Sequence, residues 1–148
     1  METDKFTLLS ADEKVVEIMT KDLIYLHVDD DLYKAETLFR RHKIRHIPVI
    51  KGKTLVGILS LTDLLRVGFA DVVNEEDDQT DNMAYEMFSL KQVMTRVPQC
   101  ITPETTIKVA ADILAHREFH ALPVVDGRTI VGMLTTTDII RYFLERVY

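Results

Sequence analysis

The spacing of apolar residues along the chain alternates between the period of a strand and the period of a helix. A short apolar run at 23–26 predicts a strand, and apolar residues at helical spacing over 32–39 predict a helix. Two apolar runs at 46–50 and 54–59, joined by a glycine-containing loop, then predict a β-hairpin. An amphipathic helix is expected over 61–69. The predicted order of elements is therefore β-α-β-β-α.

The same order of elements occurs twice, at a constant offset of 75 residues. The offset aligns Met19-Thr20 with Met94-Thr95 and Thr62-Asp63 with Thr137-Asp138, without a gap. Between positions 18 and 66, 13 of the 49 aligned pairs are identical. Two copies are too few for a solenoid. We therefore expect an α+β fold of tandem β-α-β-β-α repeats that are related by a pseudo-twofold axis and share one core.

The duplication divides the chain into three expected regions. These are a first repeat at 11–70 with a lead-in helix over about 11–19, an acidic connector at 71–87 and a second repeat at 88–148. The elements of the second repeat are expected at 98–101, 107–114, 122–125, 129–134 and 136–147. Within the connector, residues 74–81 include five acids and no base, a composition typical of a solvated segment. A metal-binding loop is the alternative, although the segment lacks the ligand spacing of a calcium loop.

Composition and charge restrict the kind of protein that the chain can be. Apolar residues make up 47% and charged residues 28%, as in an ordinary globular domain. No apolar run approaches the ~20 residues that cross a bilayer, and the N-terminus has no secretory pattern, so we expect no membrane association. Cys100 is the single cysteine, which excludes an intramolecular disulfide and fits a cytoplasmic location. The net charge of −6 argues against nucleic-acid binding.

A short motif stands where the last strand of each copy meets the last helix. It reads Gly57-Ile-Leu-Ser60-Leu-Thr62-Asp63 in the first copy and Gly132-Met-Leu-Thr135-Thr-Thr137-Asp138 in the second. In a structural interpretation, the Ser/Thr-x-x-Asp pattern caps the helix and contributes about 1 kcal/mol. In a functional interpretation, free N–H groups at the helix N-terminus bind phosphate and the aspartate accepts hydrogen bonds from ribose hydroxyls. The glycine would then let a ligand approach the backbone closely.

Basic residues precede the proline of each hairpin. The first copy carries Arg45 and His46 at the strand entry, and the second copy carries His120. A guanidinium at position 45 can bind a phosphate bidentately. The basic residues at 40–43 are explained equally well as a solvated helix end, where cations meet the negative end of the helix dipole.

The other sequence motifs that could indicate catalysis or a metal site give no support for either. His42 and His46 are four residues apart, as are His116 and His120, but each pair straddles a helix end and a strand and has no third ligand. The sequence contains neither a phosphate loop nor a serine nucleophile elbow. We therefore expect no catalytic residue, no bound metal and no required cofactor.

The chain resembles a pair of cystathionine beta-synthase (CBS) domains, also called a Bateman module, over about 18–69 and 93–144. Three features carry the resemblance, each present twice at the same offset: an apolar segment ending in Met-Thr, a strand containing Pro-Val, and the turn that ends in Thr-Asp. The resemblance implies a non-catalytic regulatory module that binds adenosine-containing ligands such as AMP, ADP, ATP, S-adenosylmethionine or NAD. We expect no further domain to be fused to the repeats and any effector to be a separate protein.

The resemblance also implies two pockets, each of which combines the turn of one copy with the strands of the other. One pocket would combine Thr135, Thr137 and Asp138 with Ala35, Ile44, Arg45, His46 and Pro48. The other would combine Ser60, Thr62 and Asp63 with Thr105, Ala110, Phe119, His120, Ala121 and Pro123. The small alanines and the apolar Ile44 or Phe119 would leave a slot for a flat base. We expect the first pocket to prefer a phosphorylated ligand because of Arg45 and His46, although Asp30, the counterpart of Thr105, would oppose phosphate.

The last helices of the two copies carry wide apolar faces, which one module of this size cannot bury alone. The residues on these faces are Leu64, Leu65 and Phe69 in the first copy and Ile139, Ile140, Phe143 and Leu144 in the second. We therefore expect a disc-shaped homodimer formed through these helices. The alternative function is a structural dimerisation or partner-docking module whose pockets stay empty.

Overall fold

The computed structural model describes residues 12–68 and 83–147, which fold into two compact units. The first unit takes its described residues from 24–98, and the second takes them from positions up to 23 and from 99 onward. The acidic segment 74–81 and the first residue of the predicted lead-in helix, Ala11, lie outside the described residues. None of the described helices has the length and apolar character that crossing a bilayer requires.

The first unit is a small sheet covered by helices. Strand β1 (Leu26–His27) is parallel to β2 (His46–Lys51), which forms an antiparallel hairpin with β3 (Thr54–Ser60), and β3 pairs antiparallel with β4 (Thr95–Arg96). The helices are α1 (Leu32–His42), α2 (Leu61–Gly68), α3 (Met83–Met87) and α4 (Leu90–Val93). The core of this unit includes Leu26, Leu32, Phe39, Ile47, Leu59 and Leu64.

The second unit repeats this arrangement with other segments of the chain. Helix α5 (Ile107–His116) precedes the hairpin of β5 (Ala121–Asp126) and β6 (Thr129–Thr135), and α6 (Thr136–Val147) follows. Ile101 bridges Val124 in parallel, as β1 does with β2 in the first unit. Thr20 bridges Met133 antiparallel, as β4 does with β3. The core of this unit includes Val15, Ile107, Leu114, Leu122, Leu134 and Tyr142.

The predicted order of elements and both hairpins are confirmed. The two hairpin glycines, Gly52 and Gly127, have φ values of 63° and 64°, the left-handed conformation that glycine adopts without strain. The predicted strands at 23–26 and 98–101 are shorter than expected, since the ladder covers Leu26–His27 in one copy and a single bridge at Ile101 in the other. In the second copy Pro98 lacks an N–H group, which a ladder requires.

The lead-in helix predicted at about 11–19 is wrong for the described part of that segment, where only a 3-10 turn, Val15–Glu17, forms. Isolated bridges flank this turn, one from Lys14 to Thr106 and one from Thr20 to Met133. These strand-type bonds compete with a continuous helix. The lead-in segment of the first copy therefore packs in the second unit. The bounds of the compact units thus differ from those of the sequence repeats predicted at 11–70 and 88–148.

A polar cluster fastens this lead-in segment to α6 within the second unit. Glu13 accepts hydrogen bonds from the Tyr142 hydroxyl and from Arg146 Nη1, the latter at 2.6 Å, and the Arg146 guanidinium lies 4.9 Å from the centre of the Tyr142 ring. The Tyr142 hydrogen bond is the main cause that lowers the pKa of Glu13. Burial, together with the bond to Glu13, raises the pKa of Tyr142 to about 12. The cluster therefore stays charged and hydrogen-bonded at neutral pH.

Candidate functional site

Each unit contains one abrupt junction between a strand and a helix, with no loop between them. In the first unit β3 ends at Ser60 and α2 begins at Leu61. In the second unit β6 ends at Thr135 and α6 begins at Thr136. We call these junctions the first turn (residues 60–63) and the second turn (residues 135–138). Both turns contain the Ser/Thr-x-Thr-Asp motif that was noted in the sequence.

The aspartate of each turn caps its own helix. The Asp63 N–H donates to Ser60 Oγ at 3.0 Å, and the Ser60 N–H donates to Asp63 Oδ2 at 3.2 Å. In the second turn, the Asp138 N–H donates to Thr135 Oγ1 at 3.2 Å and the Thr135 N–H donates to Asp138 Oδ2 at 2.9 Å. The structural interpretation of the motif as a reciprocal cap is therefore confirmed, with aspartate in the position where glutamate is common.

A third backbone bond ties each turn to the basic residue at the strand entry. The Leu61 N–H donates to the Arg45 carbonyl at 2.8 Å, and the Thr136 N–H donates to the His120 carbonyl at 2.9 Å. Directly beside these residues, His46 pairs with Ser60 and Ala121 pairs with Thr135 across the hairpins. The backbone carbonyls of Arg45 and His120 are thereby held at the helix N-termini, and the side chains of both residues are exposed.

The hydrogen bonds of the cap leave one backbone donor available at each turn. A helix begins with four N–H groups that have no partner within the helix. In each turn three of the four are satisfied by the bonds described above. The fourth belongs to Thr62 or Thr137 and has no partner among the described residues. The expectation of several free N–H groups is thus corrected to one N–H beside one exposed threonine hydroxyl.

The two aspartates differ in their second carboxylate oxygen. Asp63 Oδ1 lies 3.6 Å from Arg66 Nη1, one turn along α2. Asp138 Oδ1 has no hydrogen bond or ion pair within the part of the chain that the structure describes. Both side chains are half-buried. Each aspartate therefore keeps one acceptor that is not spent on its own backbone, and that of Asp138 is the less engaged.

The glycine that precedes each turn leaves space that a methionine side chain occupies, so the backbone there is not open to a ligand. A Cβ atom on Gly132 would lie 2.5 Å from Met19 Sδ, and a Cβ atom on Gly57 would lie 2.5 Å from Met94 Sδ. The Gly57 position would also bring the Cβ atom within 2.9 Å of the Thr95 carbonyl oxygen. The interpretation of these glycines as an approach for a ligand is therefore wrong. The repeated Met-Thr pair was the signal in the sequence that could have revealed this packing.

The remaining predicted residues lie in the cores or at their borders. Ala35 and Ala110 have no exposed surface, and Pro48, Ala121 and Pro123 are also buried. Both alanines belong to the cores of their units, and the slot for a base beside them stays a prediction. Ile44 and Phe119 are half-buried and pack against the cores.

Asp30 and Thr105 occupy equivalent positions and both serve local structure. The Asp30 carboxylate accepts the His27 N–H at 2.7 Å and lies 3.2 Å from Lys34 Nζ. Its negative charge is therefore partly balanced, which weakens the expected opposition to phosphate. Thr105 Oγ1 accepts the Thr102 N–H at 3.1 Å.

Among the described residues, no three histidine, cysteine or acidic residues cluster as metal ligands around either histidine pair. His116 Nδ1 lies 2.8 Å from the Asp112 carbonyl oxygen. The single cysteine, Cys100, is half-buried, and burial raises the pKa of its thiol.

Known proteins resemble this chain over most of its length. It is 28% identical over 137 residues to inosine-5'-monophosphate dehydrogenase of Korarchaeum cryptofilum, a match that covers 92% of the chain but 25% of that enzyme. It is 26% identical over 128 residues to the uncharacterized protein YlbB of Bacillus subtilis, covering 85% of the chain and 79% of YlbB. The crystal structure of CBSX2 from Arabidopsis thaliana in complex with AMP has a TM-score of 0.73 at 26% identity, covering 90% of this chain and 97% of that chain.

The family assignment rests on two segments. Residues 15–69 and 90–145 each match the CBS domain family, and together they make up most of the chain. They contain both turns, both hairpins and the two methionines that pack on the turn glycines. The chain therefore belongs to the CBS domain family and carries two copies of the domain.

Proposed function

We propose that the protein is a regulatory module that binds an adenosine-containing nucleotide, with AMP as the first candidate, and that it performs no catalysis. The observation that carries the proposal is the duplicate set of groups left available at the two turns after capping. Each set comprises one N–H donor, one threonine hydroxyl and one carboxylate oxygen, beside a basic residue. The likeness to CBSX2, whose structure contains AMP, supports the choice of ligand.

The available groups suit the polar parts of a nucleotide. Ribose hydroxyls would donate to Oδ1 of Asp63 or Asp138, because a carboxylate accepts such bonds strongly. Phosphate oxygens would accept from the N–H and hydroxyl groups of Thr62 or Thr137. The exposed Arg45 guanidinium would add a charge-assisted donor.

The contacts of the adenine base stay predictions. The assignment of the site residues to two pockets, each combining both copies of the domain, also stays a prediction. Within that assignment we favour the second turn for the ribose, since Asp138 Oδ1 has no competing partner among the described residues. A cytoplasmic location is likewise proposed, on the ground of the single cysteine.

Thermal unfolding with a panel of adenosine compounds tests the function. A ligand at 100 times its Kd stabilises the folded state by about 2.7 kcal/mol, which corresponds to roughly 5–10 °C for a chain of this size. We expect such a shift with at least one of AMP, ADP, ATP, S-adenosylmethionine and NAD, and none with a guanosine control. Consumption of the ligand would indicate an enzyme. Absence of any shift would favour the alternative, a docking module with empty pockets.

Exposed apolar residues on α6 favour a homodimer, which both functions allow. Ile140 is 53% exposed and Leu144 57% exposed, next to the partly exposed Phe143. Two residues that the sequence assigned to this face, Leu64 and Ile139, are buried in the cores instead, because they lie on the inner side of their helices. Phe69 lies outside the described residues.

We expect wild-type protein to sediment as a dimer at micromolar concentration and the double variant Ile140→Glu, Leu144→Glu to sediment as a monomer. Charges on an apolar contact surface would remove the association without touching the core. Val109→Glu is the matched control, since Val109 is 51% exposed but lies on α5. A monomeric wild type, or a control variant that dissociates equally, would contradict the assignment of the interface to α6.

A further inference from the structure

The first unit contains an open groove of about 720 Å³ to which neither turn contributes. One wall is the loop that precedes α1 together with the first turn of that helix, and the other is the connection from α3 to α4. The lining residues are Val28, Asp29, Asp30, Asp31, Tyr33, Tyr85, Glu86, Phe88, Ser89, Leu90 and Lys91. A volume of this size accommodates several side chains of a bound partner.

The charge of the groove is predominantly negative, with four carboxylates and one ammonium group. Two carboxylates already have local partners, because Asp30 pairs with Lys34 and Asp31 accepts the Lys34 N–H at 2.8 Å to cap α1. The exposed Asp29 and Glu86 have no ion-pair partner among the described residues. These two carboxylates come from the two different segments that line the groove, and they would repel the phosphate of a nucleotide.

Aromatic rings provide the apolar part of the same groove. Tyr33 and Tyr85 meet edge to face, with ring centres 5.2 Å apart; Tyr85 is buried in the core, whereas Tyr33 is half-buried. Burial, with the nearby Glu36, raises the pKa of Tyr85 to about 12, so its ring stays uncharged at neutral pH. Phe88 is 44% exposed and offers accessible aromatic surface at the groove. Aromatic faces next to free carboxylates attract cations, and guanidinium groups stack on such faces.

We propose that this groove docks a basic segment of a separate protein in which arginine stands beside an apolar residue. Charge complementarity with Asp29 and Glu86 selects the cation, and the half-buried ring of Tyr33 selects a guanidinium over a compact ammonium group. The apolar neighbour in the segment covers Phe88. The groove is thus an interaction surface that prefers a cation, whereas the turns are proposed to bind a phosphate. Docking at the groove does not depend on nucleotide binding.

Fluorescence anisotropy with short labelled peptides tests this proposal in the absence of nucleotide. The probe is a synthetic peptide of alternating arginine and leucine, and its counterparts carry lysine or glutamate in place of arginine. We expect the arginine peptide to bind more tightly than the lysine peptide and the glutamate peptide not to bind. The double variant Asp29→Lys, Glu86→Lys should weaken binding of the arginine peptide at least about tenfold. Phe88→Ala should weaken it as well.

The control variant carries the same change of charge on exposed acids of the second unit, Glu118→Lys with Asp126→Lys. We expect it to bind the arginine peptide like the wild type, and we expect both double variants to keep any AMP-induced thermal shift. Equal weakening by the two double variants would reveal non-specific charge attraction and overturn the proposal. Absence of binding by the wild type up to about 1 mM peptide would also overturn it.

Discussion

Asp138→Asn is expected to weaken AMP binding by about 10- to 150-fold, the loss of one charge-assisted hydrogen bond of about 1.5–3 kcal/mol. An asparagine side chain can still accept the Thr135 N–H through its single oxygen and preserve the cap. The group that then replaces Oδ1 is an amide NH₂, which donates and cannot accept from a ribose hydroxyl. Isothermal titration calorimetry measures the affinity, and urea unfolding measures the stability. We expect little change in stability.

Asp63→Asn provides the comparison within the same chain. Because Asp63 Oδ1 already lies 3.6 Å from Arg66 Nη1, its removal should cost less AMP affinity than removal of the Asp138 carboxylate. Asp126→Asn, an exposed residue at the end of β5, is the control for a general loss of negative charge. If Asp138→Asn folds normally and binds AMP as tightly as the wild type, the aspartate is only a cap and the proposed ribose contact is wrong.

Gly57→Ala is expected to lower the free energy of unfolding by about 1–3 kcal/mol, the usual cost of overpacking. The added Cβ would meet Met94 Sδ at 2.5 Å and the Thr95 carbonyl oxygen at 2.9 Å, and the backbone oxygen of a paired strand cannot move freely. Without such contacts, the same substitution would stabilise the protein by roughly 0.4–1 kcal/mol through the unfolded state. The sign of the change in the free energy of unfolding therefore shows whether Gly57 packs against Met94 and Thr95 or has open space beside it.

Gly132→Ala is the matched substitution in the second unit and should cost less. The nearest atoms to its Cβ all belong to the flexible Met19 side chain, which can rotate away. Met19→Ala should accordingly offset part of the loss in the double variant, whereas Met94→Ala should restore Gly57→Ala only in part because Thr95 remains. Urea unfolding of the four single variants and two double variants measures these couplings. Stabilisation by both alanine substitutions would contradict the packing described here.

The elements that could be predicted from the sequence are those specified by local patterns. The hairpins follow from Gly52 and Gly127, each of which adopts a positive φ between two apolar runs. The capping function of Asp63 and Asp138 follows from a spacing of three residues, which places a side chain within reach of the same helix end. Such features depend on residues that are close together in the sequence and not on contacts with distant segments.

The features that the sequence did not reveal depend on partners far away along the chain. The bridge from Thr20 to Met133 replaces the expected lead-in helix, and the repeated Met-Thr pair marks this segment without identifying its distant partner. The packing of Met19 on Gly132 and the bond from Leu61 to the Arg45 carbonyl likewise join separate segments. The number of free N–H groups at each turn depends on such a bond, so the sequence predicted the two turns but could not predict which backbone donors stay available.

The backbone amides of Thr62 and Thr137 offer the most direct test of the account, because they are the donors that capping leaves unused. Two-dimensional ¹H–¹⁵N NMR spectra recorded during an AMP titration would report on both. Saturable shifts of the Thr137 amide, accompanied by Thr62 if both turns bind, are the predicted result. Saturating AMP that moves other amides and leaves these two in place would contradict nucleotide binding at the turns, as would spectra that AMP does not change at all.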